Sequence, residues 1–163
     1  DAAAENKYHG FYDSVHIDEK LFFISKDALR VYIATDEIPP ERYAQNRNHL
    51  IKVMFLCALA RPRFDDNGNC TFDGKIGMWP FVEEVEAQRR KENRPRGTII
   101  TRVVSCDKNR YREYLIQKVL PAIRMKWPDR DRRILIQQDG ASAHIHDNDA
   151  GFNLHARQGQ WEI

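Results

Sequence analysis

Two aspartates stand at positions that suit a metal-dependent phosphoryl-transfer centre. Asp18 follows the run Ser14-Val15-His16-Ile17. Asp139 follows Ile134-Leu135-Ile136-Gln137-Gln138 and precedes the small, polar turn Gly140-Ala141-Ser142-Ala143-His144. Both runs read as strands, and the three consecutive apolar residues of the second suit the middle of a sheet. Magnesium and manganese prefer hard oxygen ligands, and two ions held about 4 Å apart need carboxylates delivered from separate strands. Aspartates at strand ends are also common as plain surface or turn residues, so the pair gains meaning only from what positions it. Glu19 points to the opposite face of a regular strand from Asp18 and is a poor ligand candidate on that ground.

Other chemistries find less support. His144, His146 and His155 have no partner at a zinc-site spacing, and suit phosphate contact or helix capping instead. Ser14, Ser25, Ser105 and Ser142 lie in no nucleophile-elbow pattern, and there is no phosphate-binding glycine loop or dinucleotide fingerprint. Trp79, Phe81, Tyr111 and Trp127 read as core aromatics rather than base-stacking platforms.

The elements that must carry the two acids can be read in order. Val15–Ile24 is a strand with a charged kink at Asp18-Glu19-Lys20, and Leu29–Ala34 is a second strand pairing back on it. Asp36–His49, with Pro39-Pro40, is a loop. Lys52–Ala60 is almost wholly apolar and fits a buried central strand, or a short core helix of the same length. The turn Asp65–Asn69 links two runs as a hairpin, and Gly74–Trp79 is an edge segment, making a three-stranded antiparallel unit beside Asp18. Glu83–Lys91 has the composition of a short helix, ended by Pro95. Thr98–Val104 is a strand. Asp107 or Asn109 then caps a helix through Tyr111, Tyr114, Leu115, Val119 and Ile123, with a kink or new start at Pro121. Arg133–Gln138 is the strand leading to Asp139, a polar helix or loop reaches about Ala156, and Gln160–Ile163 begins another strand. This β-β-β(-β)-β-α-β-α order is an α/β arrangement compatible with a ribonuclease H-like fold and with several others.

A chain of 163 residues fits one domain. The 26 basic and 24 acidic residues nearly balance at +2, so overall charge does not point to nucleic acid. Their distribution is more informative. Arg89, Arg90, Lys91, Arg94 and Arg96 form one dense run, and Arg124, Lys126, Arg130, Arg132 and Arg133 another; each fits a solvated face or a patch for a phosphate backbone. Cys57, Cys70 and Cys106 are far apart and suggest a reducing compartment rather than a disulfide framework. No apolar run reaches the length of a membrane span and the first ten residues have no signal-peptide character. The absence of an initiator methionine suggests a fragment or a processed form.

Several motifs in order are more specific than periodicity. Val15-His16-Ile17-Asp18-Glu19-Lys20, Val53–Ala60, Phe72–Phe81, Asn93-Arg94-Pro95-Arg96-Gly97-Thr98 and Ile136-Gln137-Gln138-Asp139 closely resemble mariner-like transposases of the Tc1/mariner superfamily, in the branch known from plants and oomycetes. The likeness extends over nearly the whole chain, Tyr111–Trp127 matching the helix before the second acid. It implies a single ribonuclease H-like catalytic domain of the DDE type over residues 1–163, with an insertion around residues 61–97. The implied sheet is mixed, antiparallel in its first strands, with a helical crossover, and incomplete at its end.

The resemblance also implies a site. Asp18 corresponds to the first and Asp139 to the second of three acids that bind two Mg²⁺ or Mn²⁺ ions for DNA strand cleavage and transfer. The region Gly74–Arg96 resembles a segment that meets a partner subunit or the transposon end, so Arg89, Arg90, Lys91, Arg94, Arg96 and His144 are candidate DNA contacts. DNA, a second copy of the chain and a nuclear location follow as expectations, and a membrane does not. Three departures qualify them. The third acid, in its Ser-Pro-Asp setting, has no counterpart, since Asp147 and Asp149 lie too close to Asp139 and in the wrong context. Gly140 stands where the family commonly has asparagine, and a helix-turn-helix region is missing. The chain therefore reads as a transposase-derived core that is inactive by itself. The alternative is a domesticated DNA-binding or protein-interaction module, regulatory or host-targeted, without catalysis.

Overall fold

Val15 and Ile17 are buried while His16, Asp18 and Lys20 are exposed, the period-two pattern of a strand with one covered face. The computed structural model describes residues 10–24, 35–36, 38, 50–129, 133–159 and 161–163. Strand β1 (Ser14–Ile24) runs through Asp18-Glu19-Lys20 without a kink. Alternation explains this: Asp18 and Lys20 leave on the open face, and only Glu19 turns toward the covered one.

Strand β2 (Ile51–Ala60) pairs antiparallel with β1 along its whole length, Asp18 opposite Cys57. Its Leu56 and Ala58 are fully buried, so the apolar run is an inner strand. The hairpin of β3 (Arg63–Phe64) and β4 (Cys70–Phe72) turns at Asp65, whose Oδ1 accepts the backbone N–H groups of Asn67 and Asn69. Strand β5 (Lys75–Pro80) pairs antiparallel with the far side of β2. The expected strand Leu29–Ala34, the segment Asp1–His9 and nearly all of the loop Asp36–His49 lie outside the described residues.

The helix expected over Glu83–Lys91 is instead strand β6 (Val82–Glu86), antiparallel to β7 (Ile99–Val103). The pattern Val-Glu-Glu-Val-Glu suits either element locally. The β-branched partner strand decides it, and Glu83, opposite Arg102, accepts from Arg102 Nε at 2.8 Å.

Asp107 caps the following helix by accepting the N–H groups of Asn109 and Arg110, both at 3.0 Å. The helical run is α1 (Lys108–Tyr114), a π-helical turn over Leu115–Val119, and α2 (Leu120–Lys126). Pro121 cannot donate a backbone hydrogen bond, and the wider π turn ahead of it absorbs the interruption. The run therefore keeps one buried stripe: Tyr111, Leu115, Val119, Leu120 and Ile123. It crosses over to β8 (Leu135–Gln137), which lies parallel to β1.

The result is a mixed four-stranded sheet in the order β5-β2-β1-β8, with two small antiparallel sheets, β3-β4 and β6-β7. Val15, Ile17, Leu56, Ile76 and Ile134 from the sheet meet Tyr111, Leu115, Val119 and Ile123 in one core. Each such side chain, fully buried, contributes about 1.5–3 kcal/mol of transfer free energy. Helix α3 (Ala150–Ala156) follows. Trp161–Ile163 has no strand assignment, but the Glu162 carbonyl accepts the Ile134 N–H at 2.9 Å on the outer edge of β8.

Candidate metal centre

The parallel register decides where the two aspartates stand. Ser14 is beside Leu135, Val15 beside Ile136 and His16 beside Gln137. Each aspartate lies two residues past the last ladder pair, His16 with Gln137. Parity agrees, since Leu135, Gln137 and Asp139 are exposed like His16 and Asp18, whereas Ile134 is buried. Asp18 lies within β1 and Asp139 two residues past the end of β8, and both are exposed.

Each is turned by a local hydrogen bond. Asp18 Oδ1 accepts the N–H of Glu19 at 2.9 Å, and Asp139 Oδ1 accepts the N–H of Ala141 at 2.9 Å. Oδ2 of each makes no hydrogen bond among the described residues. Two hard carboxylate oxygens with spare lone pairs fit one divalent cation completed by solvent or substrate oxygen. Among the described residues no group of three or more His, Cys, Asp or Glu side chains is placed to hold a metal.

On the covered face the neighbouring glutamate is engaged differently. The His144 ring is buried, with Nε2 lying 3.0 and 3.1 Å from the two Glu19 carboxylate oxygens. Nδ1 lies 2.9 Å from the Asp139 carbonyl and 3.0 Å from Asp139 Oδ1. Carbonyls and carboxylates only accept, so each ring nitrogen faces an acceptor oxygen. The ring stacks on Tyr111 at 4.4 Å between centroids. The Tyr111 hydroxyl donates to Gln138 Oε1 at 2.9 Å, and Gln138 Nε2 donates to the Ile145 carbonyl. Burial foremost, then the charges of Glu19, Asp139 and Asp18, pushes the Tyr111 phenol above its ordinary range. One hydroxyl thus feels three carboxylates at the same end of the sheet. Burial, with Glu19 and Asp107 nearby, pushes the Cys106 thiol up to about 11, so it stays protonated at neutral pH and is a poor nucleophile.

The remaining candidates are scattered. Arg89, Arg90, Lys91 and Arg96 are exposed and Arg94 half-buried on the loop joining β6 to β7, closed by paired backbone bonds between Lys91 and Arg94. Of the other basic run, Arg124 donates to the His155 carbonyl, Lys126 to the Lys75 carbonyl at 3.0 Å, and Arg133 lies 3.8 Å from Glu162. Arg130 and Arg132 lie outside the described residues. His144, a candidate DNA contact, is held beneath Asp139 rather than presented to solvent. The alternation that sends Glu19 away from Asp18 holds, but it sends Glu19 to His144. Nothing local in the sequence joins residues 125 positions apart.

Asp149 anchors the segment beyond the site. It caps α3 through the Phe152 N–H at 2.9 Å and receives Arg112 Nε and Nη2 at 2.9 and 2.6 Å on Oδ2. The hydrogen bonds from Arg112 foremost hold its carboxyl below the usual 3.8. A depressed carboxyl stabilises the fold above its unfolded-state value and loses that contribution as pH falls through the folded one. Asp149→Asn keeps a capping oxygen but loses the ion pair. Its thermal midpoint is expected to lie below wild type at pH 7 and to converge with it as pH falls below about 4; melting curves against pH check this.

Comparison of the chain with protein-family models, with curated proteins and with solved structures finds no match in any of the three.

Proposed function

We propose that the chain is a ribonuclease H-like core of the DDE transposase type in which Asp18 and Asp139 hold a Mg²⁺ or Mn²⁺ ion against DNA. The observation that supports this reading is the parallel β1–β8 ladder, which ends two residues before each aspartate, with no hydrogen bond to Oδ2 of either among the described residues. A divalent ion at such a centre supplies Lewis acidity toward a phosphodiester and lowers the cost of forming a hydroxide nucleophile. The chain's own part is to orient the two carboxylates and to present the loop bearing Arg89, Arg90, Lys91, Arg94 and Arg96 to the DNA backbone. With two acids in place of three, the 163 residues by themselves bind metal and DNA without completing strand cleavage.

In a supercoiled-plasmid assay with Mg²⁺ or Mn²⁺, no nicking above background is expected from the 163-residue protein. Metal-dependent nicking abolished by Asp139→Asn would overturn the view that this core is incomplete. Salt-dependent binding to duplex DNA is expected, and replacing Arg89, Arg90, Lys91 and Arg96 with alanine should reduce the slope of log K against log salt by up to about 3–4. An unchanged slope would remove this loop from the interface.

A second reading has its own support. The Glu162–Ile134 backbone bond, with Trp161 and Ile163 packed on the core, covers part of the outer edge of β8. Covered edges suit a fold kept as a DNA-binding or protein-interaction module, nuclear and without catalysis. DNA binding unaffected by EDTA and by Asp18→Asn would favour it.

A further inference from the structure

Within the metal-centre reading, on which it rests, we propose that His144 is the positioning residue of the site: Nδ1 fixes the Asp139 carboxylate, and Glu19 fixes the ring. Asp139 needs such a device. It lies beyond the last residue of β8, where the sheet's ladder no longer holds the chain, and it is exposed. Three contacts restrain it: the Ala141 N–H to Oδ1, and His144 Nδ1 to its carbonyl and to Oδ1. The histidine contacts reach both the backbone and the carboxylate, so they set the residue's position and its rotamer together. They engage Oδ1 and leave Oδ2 for the ion.

The ring is itself pinned. Tyr111 stacks on one face at 4.4 Å, and Glu19 meets Nε2 from β1 with both oxygens. Because Glu19 adjoins Asp18 in β1, the bridge Glu19–His144–Asp139 ties the strand of the first acid to the turn of the second. Glu19 therefore acts through the ring, on the face opposite the ion.

Bond counting supplies a test. An asparagine amide nitrogen stands as many bonds from Cα as histidine Nδ1, and a glutamine amide nitrogen as many as Nε2. His144→Asn thus keeps a donor for Asp139 and loses the one for Glu19, whereas His144→Gln does the reverse. Mn²⁺ is titrated into the full 163-residue protein at neutral pH, following the electron paramagnetic resonance signal of the free aqua ion. His144→Gln is expected to raise the Mn²⁺ Kd by about tenfold or more, the usual effect of removing a partner of a ligating carboxylate. His144→Asn should bind close to wild type even though it melts lower. The Ala141 amide resonance should shift in His144→Gln and hold in His144→Asn. Glu19→Gln, which keeps one acceptor for Nε2 and loses the charge, should raise the Mn²⁺ Kd by less than His144→Gln does.

Equal Mn²⁺ affinity in wild type and His144→Gln would overturn the assignment. So would parallel losses in both histidine variants that follow their melting temperatures, which is the signature of a structural role alone. A loss in Glu19→Gln as large as that in His144→Gln would make Glu19 a ligand and overturn it too. A wild-type protein that takes up no Mn²⁺ would remove the metal centre itself, and this inference with it.

Discussion

Asp18→Asn is expected to weaken Mn²⁺ binding by about two orders of magnitude, worth about 2.7 kcal/mol, while leaving the metal-free protein as stable as before or slightly more so. The two halves have separate causes. A carboxylate beside a divalent ion contributes several kcal/mol even at the effective dielectric of a protein surface, about 4 kcal/mol per unit-charge pair at 4 Å. An amide oxygen keeps the lone pairs and loses the charge. In the metal-free protein the same charge is a liability, because Asp18, Glu19 and Asp139 all bear on the Tyr111 hydroxyl. Asparagine keeps the Oδ1 acceptor that Asp18 offers to the Glu19 N–H. Melting in EDTA and Mn²⁺ titration on one preparation give both numbers. A fall in melting temperature alongside the affinity would mean that Asp18 holds the fold. An unchanged Kd would mean that it holds no metal.

Opposite signs of this kind mark a site whose charges serve a ligand at the expense of stability. The same contrast should separate the two acids. Asp139→Asn gives up charge in its contact with His144 as well as in the ion's shell, so it should lose stability where Asp18→Asn does not.

How much of this was legible beforehand varies by element. The strand β8 and the capped helix before it could be read from a β-branched apolar run and from Asp107, because each is dictated by its own residues, while β2 stood open between a strand and a short helix. The exposed place of Asp139 past the end of its strand was legible too. Strand β6 was not, because Val82-Glu83-Glu84-Val85-Glu86 has a composition that suits a helix, and only the partner across the hairpin settles the matter. The His144–Glu19 bridge was further out of reach. Alternation correctly sends Glu19 to the face opposite Asp18, and on that ground it was set aside as a ligand. What it meets there comes from a turn at the other end of the chain.

Tyr111 was legible as a core aromatic, yet it also floors the site, and that double role gives its substitution a large effect. Tyr111→Ala is expected to cost about 3–5 kcal/mol, the range for deleting a buried aromatic ring. The side chain is wholly buried, where α1 faces the sheet. Its loss opens a cavity, removes the face on which His144 stacks and deprives Gln138 of its donor. Against a typical domain stability of about 5–15 kcal/mol, that places the variant close to unfolding at room temperature. Tyr111→Phe keeps the ring and removes only the hydroxyl, so it should cost about 1 kcal/mol near neutral pH. Above pH 10 the difference shrinks. The raised phenol stabilises the wild-type fold fully below the ordinary value of 10.0, and that contribution is lost as pH climbs toward the folded value. Phenylalanine has no such titration, so the gap between Tyr111→Phe and wild type should narrow in alkali. Urea unfolding at pH 7 and pH 11 measures both effects. If the alanine variant were as stable as the phenylalanine one, the ring would not be the floor of the site, and the support beneath His144 would have to come from elsewhere.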